Sequence, residues 1–555
     1  MKKIAIFFFI VFSIHSFSQE TNEDAWLFLK DKPNASDYIE NPTRMLSQRA
    51  IDRRNKLNIN LDITDVPIDE NYYNQLKNET TITILGKSKW LNAIHIQGTQ
   101  TAINGLQTNF NFIQIIEFAD KTLNTGSKII GKKNTVNHQN KFKNTQENLN
   151  YGAAENQIKM LKGDYLHQAG LTGENQIIAV IDAGFPNVNT LQAFKRLRDN
   201  NQILGGYNFA DRNTNFYTRH NHGTNVLSTI GGYLENQFIG TAPDAKFYLF
   251  ISEIAETETV LEETLWVEAA EKADSLGVDV INTSLGYSTF DNPKHNYTYA
   301  DMDGKTTFIS RGAEIAANKG MLVVNSAGNS GNDSWKFITA PADAPSIITV
   351  GAVDVNKNIS SFSSFGPSYD GRIKPEILAQ GTASSVIHHN DGNIVAYSGT
   401  SFSSPIMAGL IACLNDSEVF FVLKSATTKN LNDYLKEAIY KSADRYNNPT
   451  DQHGYGIPDF EVAFNYYGSV FSVEENFLNN LKISPNPTST NFKIEGYVGD
   501  LESYKLALYD VLGKEINQFK NIDNNIIDIS NLKKGLYILK ISKGKTRKTL
   551  KIIKQ

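Results

Sequence analysis

The period of apolar and polar positions changes twice along the chain and divides it into three. Over residues 19–120 short segments alternate, as in Thr81-Ile82-Thr83-Ile84-Leu85 and Asn92-Ala93-Ile94-His95-Ile96. A period of two is that of half-buried strands. Further strands are predicted at 25–29 and 110–118, with helices at 42–57 and 99–106, Pro42 being suited to a first helical turn. Strands and helices joined by short connections predict a small α+β domain. Over residues 151–468 the strands become unbroken apolar runs, at 176–181, 247–250, 278–282, 321–325 and 346–353. Such runs fit strands buried on both faces. Helix-spaced stretches at 262–276 and 309–318 lie between them, so the pattern predicts an α/β fold with a doubly wound, mainly parallel sheet. Over residues 480–555 short strands return, at 492–496, 505–510, 536–541 and 549–554, and predict a C-terminal all-β sandwich.

Between these blocks the chain turns polar. Residues 121–150 are rich in Lys, Asn, Thr and Gln and read as an exposed linker that is easily cut. Residues 469–479 read as a second linker. At the start, Lys2-Lys3 precede the apolar run 4–14, and Ser16-Phe17-Ser18 lead to a cleavage site before Gln19. The run is too short to span a bilayer, so residues 1–18 are expected to be a signal peptide.

Composition narrows the function. The 555 residues are 40% hydrophobic and 20% charged, with a net charge of −5. Nucleic-acid binding would require a basic excess. The tail from Asn531 is lysine-rich, but its lysines alternate with apolar residues, as on a solvated strand face. The single cysteine, Cys413, excludes an internal disulfide and lies in an apolar run, where it reads as a small buried hydrophobe.

The candidate chemistry begins at Gly399-Thr400-Ser401-Phe402-Ser403-Ser404-Pro405, followed by the apolar run 406–412. This predicts a tight turn presenting Ser401 at the start of a buried helix, with Pro405 in its first turn. A helix N-terminus favours developing negative charge. Taken alone, Ser401 is either a nucleophile or a helix cap. Asp182 ends the run 176–181, at the carboxyl end of a strand where open α/β sheets place their sites. His222 opens a small-residue, helix-like stretch. His220 beside it reads as a solvated loop residue. Asn329 lies in Ser326-Ala327-Gly328-Asn329-Ser330-Gly331, at the end of another strand.

The order Asp182, His222, Ser401 is that of the subtilisin triad. The segments Val180-Ile181-Asp182-Ala183-Gly184, His222-Gly223-Thr224, Ser326 to Gly331 and Gly399 to Pro405 resemble those of the subtilisin-like (S8) serine peptidases, with Gly240-Thr241-Ala242-Pro243 and Ser284-Leu285-Gly286 in agreement. The resemblance covers roughly residues 151–468 and implies a secreted serine endopeptidase acting on polypeptide substrates through an acyl-enzyme. It implies Ser401 as nucleophile, His222 as base, Asp182 as the group that orients His222, and Asn329 as oxyanion donor. Ser284, Leu285 and Gly286 would pair with an extended substrate, and Ala327 and Gly328 would border the pocket for the residue before the cut. Ala183, Asn225, Phe402 and Ser403 depart from the commoner pattern. None removes a catalytic atom. A catalytically silent surface or adhesion protein retaining the fold is the alternative.

The same resemblance makes residues 19–120 look like a propeptide and 121–150 its processing region. The chemistry is expected to need no cofactor, and no metal ligand is assigned. Structural Ca²⁺ is common among the relatives but has no location here: Asp301 and Asp303 read as an acidic turn and His388-His389 as a solvated pair. Pro485-Asn486-Pro487, Ile529-Ser530-Asn531-Leu532 and Gly535-Leu536-Tyr537 resemble the C-terminal sorting domain of type IX secretion, which implies the outer-membrane type IX secretion machinery as a partner and a secreted or cell-surface location. An adhesive or carbohydrate-binding sandwich is the rival reading of 480–555. The chain is expected to be a monomer.

Overall fold

The computed structural model describes residues 20–124, 149–417, 431–470, 481–495, 505–519, 525–543 and 546–555. The signal-peptide stretch, most of 121–150 and all but two residues of the 469–479 linker lie outside the described residues.

Strands β1 (Asn22–Leu29), β2 (Ile82–Ser88), β3 (Ala93–Thr99) and β4 (Ile113–Phe118) form an antiparallel sheet in the order β2-β3-β1-β4. The helix expected over 42–57 starts later. A 3₁₀ turn at Pro42–Arg44 comes first, and Ser47 then caps α1 (Gln48–Lys56) by accepting the Ala50 N–H. Helix α2 (Glu70–Lys77) has no counterpart in the apolar pattern because Leu76 is its single buried residue. Its start is fixed by Asp69, which accepts the Asn71 and Tyr72 N–H groups. Helix α3 (Gln100–Asn109) lays Ile103 and Leu106 against Ala25, Leu27, Ile94 and Ile96.

Strands β5 (Ile177–Asp182), β6 (Ile203–Asn208), β7 (Lys246–Ile251), β8 (Val280–Thr283), β9 (Leu322–Ser326), β10 (Ile348–Val353) and β11 (Ile377–Gln380) form a second sheet, parallel throughout, in the order β11-β10-β9-β8-β5-β7-β6. The two strands beyond those expected, β6 and β11, occupy its edges; Gly205-Gly206 interrupts the apolar pattern of β6. Side chains alternate across the sheet. Ile178 and Val180 of β5 meet α4 (His222–Gly231) and α7 (Thr400–Asn415) on one face. Ala179 and Ile181 meet α5 (Val260–Leu276) and α6 (Phe308–Asn318) on the other. This is the expected doubly wound arrangement, and the sheet's carboxyl edge carries the ends of β5, β8 and β9 together.

The N-terminal sheet docks on α5 and α6. Trp26 stacks on Phe308 with ring centroids 4.9 Å apart and donates its Nε1–H to Thr264 Oγ1 at 3.0 Å. Glu271 accepts from Ser88 Oγ and the Trp90 N–H at 2.7 and 2.9 Å. Arg54 is 1% exposed and bonds both Asp65 and Asp274, each fully buried, at 2.8–2.9 Å. Leu57 follows α1 into the main core of the α/β sheet.

The C-terminal strands form two antiparallel sheets, one of three strands and one of four. Phe492, Ile494 and Ile527 of the first face Leu506, Leu508, Leu539 and Ile541 of the second, which makes the expected sandwich.

Candidate active site

Parallel strands that are apolar to their last residue deliver polar groups at one edge. β5 ends in Asp182, whose side chain is 2% exposed. Its Oδ1 accepts the Ala183 N–H at 2.7 Å and receives His222 Nδ1 at 2.8 Å. The carboxylate is thereby fixed from its own backbone and aimed at the first residue of α4. Burial opposes protonation of His222, but the charge of Asp182 and its hydrogen bond outweigh this and raise the imidazole pKa above its ordinary value of 6.5. The ring keeps 29% of its side-chain surface exposed, so one edge is held and the other is reachable.

Ser401 is the second residue of α7, whose residues 400–414 are all buried. Gly399 is the N-cap, with φ +156°, a value that residues with a Cβ avoid. Ser401 is therefore not the helix cap. Pro405 lies in the second turn rather than the first. The N–H that it lacks would have bonded the Ser401 carbonyl four residues back. Ser284 replaces that donor: its Oγ donates to Ser401 O at 3.0 Å, while Ser401 Oγ donates to Ser284 O at 3.4 Å. The pair ties the start of α7 to the chain leaving β8.

Asn329 stands three residues beyond β9 and is exposed. Its Oδ1 accepts both the N–H (2.8 Å) and the Oγ1 hydroxyl (3.0 Å) of Thr400. Thr400 Oγ1 in turn accepts the Gly328 N–H at 3.2 Å. Anchoring Oδ1 fixes the plane of the amide and turns its Nδ2 donors away from Thr400. The first-turn N–H groups of α7, that of Ser401 among them, have no partner within the helix. The side-chain amide and the helix start together make a site for an anion.

Ser284, Leu285 and Gly286 form an extended segment outside any strand, Gly286 being exposed. Leu285 O accepts from Asn325 Nδ2 at 3.4 Å, which holds the segment beside β9. Ala327 is buried and Gly328 half-buried opposite it. All nine site residues read from the sequence thus lie at or just beyond the carboxyl edge of the sheet.

The family comparison matches this geometry. The Subtilase family model covers residues 173–457, just over half of the chain. The chain belongs to the subtilase family. Subtilisin NAT of Bacillus subtilis subsp. natto is 31% identical over 265 residues, covering 46% of this chain and 60% of that protein. The chain thus spans three fifths of the length of that relative. Subtilisin of Bacillus pumilus is 31% identical over the same length, with 82% of it covered. Among solved structures, the prenylagaramide maturation protease PagA aligns with a TM-score of 0.42 at 22% identity, covering 55% of this chain and 98% of that one. Two further models match this subtilase: the Bacteroidota propeptide domain of peptidase S8 over residues 24–141, and a secretion-system C-terminal sorting domain over 482–555.

Residues where this subtilase departs from the commoner pattern support the site without entering it. Phe402 is 5% exposed, with its ring centroid 6.2 Å from that of His222. Asn225 is buried one turn into α4. The Asp301 carboxylate is bonded to Lys121 and Thr298, and that of Asp303 to the Lys305 and Thr306 N–H groups, so both act as caps of the acidic turn. His220 is exposed. His388 and His389 are half-buried, bonded to Asp391 and Asn221. Cys413 is buried in α7.

Proposed function

We propose that this subtilase is a secreted serine endopeptidase. The observation that carries the reading is the fixed Asp182–His222 pair set on the same sheet edge as a serine at a helix N-terminus. Ser401 Oγ attacks the carbonyl carbon of the scissile bond, and His222 Nε2 takes the hydroxyl proton. The charge that His222 gains is held by Asp182, which also keeps the proton on Nδ1 and leaves Nε2 as the base. The carbonyl oxygen becomes an anion facing Asn329 Nδ2 and the Ser401 N–H. A pre-set donor of this kind stabilises the transition state more than the ground state. His222 then gives its proton to the departing amine. Water repeats the sequence on the acyl-enzyme and frees Ser401. The extended segment 284–286 aligns the substrate backbone, so that polypeptides in extended form are the substrates. The chemistry is complete with these side chains and calls on no cofactor.

The N-terminal module, docked on α5 and α6 and matched by the propeptide model, is read as a segment carried until the chain is processed within 121–150. The C-terminal sandwich is read as the part handled by the type IX secretion machinery, after export by the signal peptide. The test is hydrolysis of denatured casein by the purified protein beside a Ser401→Ala control. Activity confined to the unaltered chain supports the reading. Equal rates in the two would overturn it.

A further inference from the structure

The two segments that flank the Ser401 site meet over a residue that the triad does not use. A Cβ built on Gly286 would lie 2.1 Å from Thr339 Oγ1, and one built on Gly328 would lie 3.2 Å from the same atom. Thr339 therefore fills the gap between the backbone of the extended segment and that of the chain leaving β9. Exposure falls in the same direction: Gly286 is exposed, Gly328 is half-buried and Thr339 is 5% exposed. Thr339 is thus the floor of the slot whose walls are the two glycines. Behind it Ala327, Ile338 and Ala342 form a separate buried cluster, which leaves little room for the floor to recede. The Ala342 N–H bonds Thr339 O at 2.7 Å and pins the residue in place. Thr339 Oγ1 is buried and has no hydrogen-bond partner among the described residues. A hydroxyl so placed is normally paired.

We propose that Thr339 sets the specificity of the cut: it closes the pocket for the side chain preceding the scissile bond, restricting that side chain to small residues and favouring one with a hydroxyl. The inference rests on the peptidase reading above and goes beyond it by naming the substrate class. An aromatic side chain has nowhere to go without displacing Thr339. Alanine fits, and serine fits with a partner for Oγ1. A site built to hydrogen-bond a group rejects the analogue that lacks it, because its own polar atom is then left unpaired.

The experiment uses enzyme purified after expression of the full chain and four peptide nitroanilides that differ in the last residue: Ala, Ser, Leu and Phe. Fluorophosphonate titration first counts competent sites. No labelling above the Ser401→Ala background would sink the peptidase reading itself and is distinguishable from failure of the present one. With labelling present, kcat/KM is expected to be about tenfold or more higher for Ala and Ser than for Phe. Thr339→Gly should move the Phe-to-Ala ratio towards Phe by about tenfold or more, and Thr339→Ala should move it less in the same direction. Thr339→Val keeps the volume and should abolish the preference for Ser over Ala while still excluding Phe. These ratios do not depend on how much of a variant folds. A labelled enzyme that cleaves the Phe peptide as well as the Ala peptide, or whose ratios are unmoved in the Gly and Ala variants, overturns the proposal.

Discussion

Replacing Asp182 by asparagine isolates the charge of the buried carboxylate from its geometry. Asp182 Oδ1 makes both of the bonds that fix the pair, to the Ala183 N–H and to His222 Nδ1. An asparagine oxygen in that place accepts both, so the ring can stay where it is while the negative charge disappears. The loss is felt when His222 becomes charged in the transition state. Two unit charges about 4 Å apart at an effective dielectric near 20 attract by about 4 kcal/mol, which corresponds to about 10³ in rate. The pH dependence carries the sign. In the unaltered protein the imidazole pKa is raised, so the neutral base is lost as pH falls through a value above 6.5. Without the carboxylate charge the burial contribution, which lowers the pKa, is unopposed, and the acid limb of kcat/KM should move to lower pH. The assay is kcat and KM on a peptide nitroanilide from pH 5 to 9 for both proteins. A fall of about 10³ in kcat with KM little changed and a downward shift of the acid limb is expected. A loss under about tenfold, or an acid limb that stays or rises, would refute the role given to Asp182.

Other perturbations test other parts. Asn329→Ala removes an oxyanion donor held by Thr400 and should cost about 10²–10³ in kcat, the range that such a donor carries in subtilisin, with KM nearly constant; an unchanged kcat would remove Asn329 from the reaction. Asp274→Ala leaves Arg54, 1% exposed, with Asp65 as its remaining printed carboxylate partner. Breaking a buried pair in this way costs about 3–5 kcal/mol. In a Ser401→Ala background the strands β1–β4 should lose hydrogen-exchange protection against solvent, and unchanged protection would count against that network as the anchor of the N-terminal module. Ser284→Ala removes the donor to Ser401 O and should destabilise the start of α7 by about 1 kcal/mol and lower kcat, with urea unfolding and turnover as the two readouts; no change in either would show the link to be incidental.

Much of the site was legible because its residues sit where the apolar pattern stops. Asp182, Asn329 and Ser284 each follow an uninterrupted apolar strand, and His222 and Ser401 each precede a small, apolar helix. Local pattern was weaker where tertiary structure decides. Pro405 reads locally as a first-turn proline, and only Ser284, 117 residues earlier in the chain, shows which carbonyl it leaves free. Thr339 lies in no motif; its place becomes apparent from the backbone of Gly286 and Gly328 converging on it. The buried Arg54–Asp274 pair joins residues 220 apart, beyond the reach of any periodicity. Helix α2 is fixed by a cap rather than by an apolar stripe, and β6 is interrupted by Gly205-Gly206, so neither carries the period that marks its neighbours.

The central claim is that Asp182 and His222 make Ser401 a nucleophile. Its most direct measurement is the mass of the peptide bearing Ser401 after the purified protein reacts with a fluorophosphonate. The account predicts one phosphonyl adduct on Ser401, abolished in Ser401→Ala and strongly slowed in His222→Ala. Labelling elsewhere on the chain, or an unlabelled Ser401 in protein whose fold is intact, would contradict it.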